Sequence, residues 1–157
     1  MSNILTRYSI FDATKAGTIV PLRICWCNSK EYRTPEQDAR ISLHIAEHHG
    51  VVKIIVWCGT IQHCYESATL WSRVFHKHAK KTWKVCADTS LKNTMFGTYA
   101  DFANATSYSM LFCAAKHREG SDIAGLGMGV FVDGVEKRGS AVFVQCAGRV
   151  CLLYTSP

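Results

Sequence analysis

Residues 51–58, VVKIIVWC, constrain the fold more than any other stretch of this chain. Seven of these eight residues are apolar, and β-branched types dominate. Such a run reads as a strand covered on both faces, because a half-solvated strand would alternate apolar and polar residues. Its lead-in is equally well marked. Thr34-Pro35-Glu36-Gln37 offers an N-cap, a proline at the first helical position and a glutamine three residues after the cap. Ala39, Ile41, Leu43, Ile45 and Ala46 supply the apolar side of the helix, and Gly50 stops it just after His48 and His49.

The other elements read less sharply. Residues 5–11 and 18–27 suggest strands, the second demoted toward an edge by Pro21. Residues 67–81 predict a second helix, with Leu70, Val74 and Phe75 on one side, and residues 82–87 a further strand. The stretch 91–104 is ambiguous, with a short helix around Met95 to Phe102 as one reading. In the last third, SYSMLFCAA, GMGVFVDGV, SAVFVQC and VCLLYT read as strands joined at glycine-bearing turns, which predicts an antiparallel C-terminal β-meander.

Eight cysteines and seven histidines raise the question of a metal or disulfide scaffold. No CxxC pair occurs, so a zinc ribbon is not indicated. Most of the thiols sit in apolar runs, where cysteine packs as a small hydrophobe. The N-terminal sequence lacks the apolar core of a secretory signal, so the expected location is intracellular, cytoplasm or virus particle. No apolar stretch approaches the ~20 residues of a membrane helix. With 48% hydrophobic and 19% charged residues, and no linker, residues 1–157 read as one globular domain.

Candidate sites are few. His44 and His48 share a helix face at i and i+4, but Ile45 stands where a metalloprotease carries glutamate. Cys58, His63 and Cys64 are the further metal candidates. His63-Cys64, placed in a loop after the central strand, is the best catalytic-thiol candidate, with Glu66 or Asp88 available to orient an imidazole. Cys25 and Cys27 would share one strand face. The plainer reading of all of these is core thiols and helix-end histidines, so no catalytic residue, cofactor or metal is assigned. Gly125, Gly127 and Gly129 precede a strand rather than a helix, which excludes a phosphate loop.

The net charge is +6, from 18 Lys+Arg against 12 Asp+Glu. Arg73, Lys77, Lys80, Lys81 and Lys84 fall within twelve residues that also contain two histidines and Trp83. The plainer reading of the net charge is solubility, but clustered cations beside an aromatic ring are also the footprint of nucleic-acid binding, so these six residues are the candidate nucleic-acid site.

His78-Ala-Lys-Lys-Thr-Trp-Lys-Val85 followed by Asp88-Thr-Ser-Leu-Lys resembles the Lys-rich Trp-Lys-Val segment of jelly-roll coat proteins of small plant RNA viruses. The stretch from Glu66 to Val85 is also similar to part of the related movement-protein superfamily. Such a resemblance implies that SYSMLFCAA and GMGVFVDG close a jelly roll. The expected fold is then α+β, mainly antiparallel β as a jelly-roll-like sandwich with two α-helices. The expected function is a non-enzymatic viral-type structural or RNA-associated protein that self-assembles. Its partners would be copies of itself and RNA or another polyanion, and no membrane. Exposed Tyr8, Trp26 and Tyr154 would make subunit contacts. The competing readings are a Cys/His-rich enzyme or zinc-dependent domain, and a regulator that binds a host protein.

Overall fold

The computed structural model describes residues 12, 15–17, 34–89, 95–114, 116, 117 and 123–133. Helix α1 spans Pro35–His48. Its start is the expected capping box: the Gln37 amide donates to Thr34 Oγ1 at 3.2 Å, and the Thr34 amide donates to Gln37 Oε1 at 2.8 Å. Its end is a Schellman turn. The Val51 amide reaches back to the Ala46 carbonyl, the Gly50 amide bonds the Glu47 carbonyl, and Gly50 adopts φ +65°.

The chain then enters β1 (Lys53–Trp57), every residue of which is buried. Helix α2 (Ile61–His78) follows directly, with Thr60 as its N-cap. Its buried residues, Cys64, Ser67, Ala68, Trp71, Val74 and Phe75, recur at helical spacing and form one stripe. Strand β2 (Lys84–Asp88), the short helix α3 (Tyr99–Ala103), β3 (Ser109–Cys113) and β4 (Met128–Phe131) complete the described elements.

These four strands form one sheet in the order β2-β3-β1-β4, and every pairing is parallel. Period-two alternation splits the inner strands between two layers. Ile54, Val56, Met110 and Phe112 pack under α1 and α2, with Trp71 and Phe75. Ile55, Trp57, Leu111 and Cys113 face the other way, toward Phe102 of α3, Ile123 and Leu126. The covers alternate as right-handed crossovers require. From β1 to β2 the chain moves toward one edge beneath α2. From β2 to β3 and on to β4 it moves back, with its cover on the opposite face.

The expected antiparallel jelly-roll-like sandwich is therefore overturned by an all-parallel sheet. The strands foreseen at SYSMLFCAA and GMGVFVDGV do form, but they are not neighbours in a meander. Strand β1 lies between them, with Ile54 paired to Met110 on one side and to Met128 on the other. Parallel strands need a crossover, and the α2 helix supplies the first. The glycines before β4 bring the chain close against the lead-in to β1. Gly125 has φ +75°, and a Cβ on Gly127 would stand 3.2 Å from Val51 Cγ1. The second helix also begins six residues earlier than expected, at Ile61. The strands expected at 5–11, 18–27, 140–146 and 150–155 lie outside the described residues. So do Cys25, Cys27, Tyr8, Trp26 and Tyr154. Among the described residues, no helix is long and apolar enough to cross a membrane.

Candidate functional site

In an open parallel sheet, ligands bind outside the carboxyl ends of the strands, where outgoing connections diverge. Here that point lies between β1 and β3. The chain leaving β1 passes to the α2 face, and the chain leaving β3 passes to the other. The two strand ends are tied by the Cys58 amide, which donates to the Cys113 carbonyl at 2.8 Å.

The side chains at this edge form an interlocked group. Asp88 ends β2, and its register partner on β3 is Cys113. Lys116 and His117, just beyond β3, therefore reach it. Lys116 Nζ donates to Asp88 Oδ1 at 2.9 Å, and His117 Nε2 meets Asp88 Oδ2 at 2.6 Å. The His117 side chain is only 9% exposed, whereas that of Lys116 is 52% exposed. Tyr99, at the start of α3, stacks on the imidazole with centroids 4.2 Å apart and planes within 13°. Cys113 Sγ donates to the Lys116 carbonyl at 3.3 Å and braces the turn. His117 itself adopts φ +60°, the only positive φ outside glycine among the described residues. Strain of this kind gathers at functional sites. Burial pushes the Asp88 carboxyl up, but the hydrogen bonds from Lys116 and His117 outweigh it and hold the group below its ordinary range.

The rest of the edge is polar. Tyr65 on α2 and Thr89 share a 2.6 Å hydrogen bond next to Asp88. Asp133, beyond β4, lies against Gly59, where a Cβ would be 3.5 Å from Asp133 Cβ. The edge thus sets the Lys116 and His117 donors around the Asp88 carboxylate at β2–β3 and carries Asp133 at β1–β4. Trp57 Nε1, at the carboxyl end of β1, is buried and has no hydrogen-bond partner among the described residues.

His63 and Cys64 stand in the first turn of α2, not in a loop. Cys64 and Cys58 are both fully buried, and the two thiols are hydrogen-bonded to one another. That bond and burial push Cys58 well above the ordinary thiol range, while the bond draws Cys64 down against the effect of burial. Asp88 does orient an imidazole, but it is that of His117; Glu66 accepts from Gln62 instead. His44 and His48 are exposed on α1, with ring centroids 6.3 Å apart. The structure does not gather His44, His48, Cys58, His63 and Cys64 at one point. Among the described residues no three His, Cys, Asp or Glu side chains are grouped to hold a metal ion.

The six expected nucleic-acid residues lie at the opposite, amino edge of the sheet. Arg73, Lys77 and Lys81 are exposed. The Lys80 amide donates to Glu47 Oε1 at 2.8 Å, and its Nζ lies 4.0 Å from Glu47 Oε2. Lys84 Nζ pairs with Asp101 at 3.2 Å. The Asp101 carboxyl is drawn down to about 2, first by the Thr98 amide and hydroxyl and then by Lys84. Trp83 is half-buried, edge-on to Phe75 at 5.3 Å and to Tyr108 at 5.2 Å.

Sequence reasoning missed Lys116, His117 and Tyr99 as a group. The signal available was position: polar residues directly after the strand ends of a parallel sheet. No protein-family model matches the chain, and no curated protein is significantly similar to it.

Proposed function

We propose that this chain is a phosphate-binding domain, taking the phosphate groups of a nucleotide or a nucleic acid at the carboxyl edge of its sheet. The observation that carries this reading is the convergence of Lys116 and His117 at the β2–β3 end, beside the divergence point between β1 and β3. Two donors held by Asp88, a stacked tyrosine and a braced turn are arranged before any ligand arrives, which lowers the ordering cost of binding. Half-exposed Lys116 is free to turn from Asp88 to an incoming phosphate oxygen without a large desolvation cost. The net charge of +6 favours an anionic ligand, and RNA association is one form of this proposal.

Isothermal titration with AMP, ATP, inorganic phosphate and an oligonucleotide separates the forms. Nucleotide binding without oligonucleotide binding assigns a small-molecule site; the converse assigns a backbone site. In either case Lys116→Ala weakens binding by about 10- to 100-fold, the loss expected for one charge-assisted hydrogen bond. Binding of none of the four probes, or binding that Lys116→Ala leaves intact, would overturn the proposal.

A further inference from the structure

The amino edge carries a second feature, independent of the phosphate site. A cleft of about 140 Å³ opens between the end of α1, the lead-in to β1, the loop before β2 and Tyr108. It falls well short of the roughly 300 Å³ at which sites for whole cofactors begin. It has room for one flat ring that belongs to a longer ligand. Its walls include the aromatic residues Trp83 and Tyr108, and its rim carries Lys80 and Lys81. The basic surface continues along α2. Arg73 and Lys77, four residues apart, share one helix face and are exposed, and no ion pair occupies them or Lys81 among the described residues.

Glu47 also lines the cleft. Unlike Asp88, whose two oxygens are taken by Lys116 and His117, Glu47 keeps Oε2 as an acceptor, 4.0 Å from Lys80 Nζ. Its Oε1 accepts the Lys80 amide, and carboxylate oxygens retain further lone pairs. A base with an exocyclic amino group can donate to one of them. Aromatic walls, a flanking line of cations and a single acceptor together match a base of a single strand, rather than a featureless polyanion.

We infer that the cleft bounded by Glu47, Trp83 and Tyr108 takes one base of a single-stranded nucleic acid, while Lys77, Lys80, Lys81 and Arg73 hold its phosphates. Stacking supplies affinity, and Glu47 supplies a preference for bases with an exocyclic amino group (cytosine, adenine or guanine) over uracil.

The test is fluorescence anisotropy with labelled oligo(C), oligo(A) and oligo(U) of about 12 nucleotides, a length that spans one such surface. Heparin serves as a polyanion without bases. All measurements are repeated in Lys116→Ala protein, so that the opposite edge does not contribute. The expected result is tighter binding of oligo(C) and oligo(A) than of oligo(U), abolished as a preference by Glu47→Gln. Tyr108→Ala should weaken all three about 5-fold or more through lost stacking. Its fold is verified by thermal melting. Lys77→Ala with Lys81→Ala should reduce the log–log salt slope by about 1.4, two contacts at about 0.7 each for a single strand. Equal affinity for the three oligonucleotides, unchanged by Glu47→Gln and Tyr108→Ala and matched by heparin, would overturn the inference and leave a non-specific basic surface.

Discussion

Replacing Asp88 by asparagine tests the account of the carboxyl edge through stability alone. The substitution keeps the size of the side chain and removes its charge. The bond to His117 is short, 2.6 Å, and the imidazole is nearly buried. A charge-assisted bond in that setting contributes about 1.5–3 kcal/mol. The bond to Lys116 is half in water, so it contributes only about 0.2–1 kcal/mol. Asparagine retains one acceptor oxygen and recovers part of this. The net loss is about 2 kcal/mol at pH 7. With a urea slope of about 2 kcal/mol/M for a domain of this size, the midpoint falls by about 1 M. The pH dependence has a definite sign. The folded Asp88 carboxyl lies below its unfolded value, so the unfolded state binds the proton more readily. Its contribution is complete above about pH 4, the ordinary aspartate value, and is lost as pH falls through the folded value. The gap between wild type and Asp88→Asn in urea melts should therefore be full at pH 7 and narrow below about pH 4. An unchanged midpoint at pH 7, or a gap that stays constant at acid pH, would refute the reasoning.

Two more substitutions probe the frame that positions this edge. A Cβ at Gly97 would lie 2.7 Å from Cys86 Sγ, while the Gly97 amide and carbonyl bond Val85 and Ala87. Gly97→Ala should cost about 1–3 kcal/mol by overpacking, read from urea melts. Gly50→Ala meets open space but a φ of +65°, so its cost should be smaller, about 1 kcal/mol, and seen as earlier thermal unfolding.

The legible parts of the fold were those written into local sequence. Thr34 and Gln37 announce the start of α1 because the capping box needs only four residues. VVKIIVWC announces a doubly covered strand, and β1 is buried along its whole length. That same feature is the mark of a parallel strand. The hairpin turns expected at Gly139 and Gly148 lie outside the described residues, and the residues of β3 and β4 do not record that each pairs parallel with β1. The start of α2 was hidden because its first turn, Ile61-Gln62-His63-Cys64, lacks acidic residues and Thr60 has no glutamate or glutamine answering it. Of the candidate site only Asp88 was legible, as a carboxylate able to orient an imidazole. Asp88 and His117 are 29 residues apart, and only the β2–β3 register brings them together. The basic segment could be read as a patch, but not that Trp83 would be engaged by Phe75 and Tyr108, or Lys84 by Asp101.

The most direct test of the central claim is a map of where a phosphate ligand lands. Amide chemical shifts of isotope-labelled protein are followed while AMP and, separately, an oligonucleotide are added. The account predicts that at least one of the two shifts a set of amides at the carboxyl edge, including Thr89, Ala114, Lys116 and His117, and that these changes vanish in Lys116→Ala. Changes confined to the amino edge or scattered over the surface, with Lys116 and His117 unmoved, would contradict it.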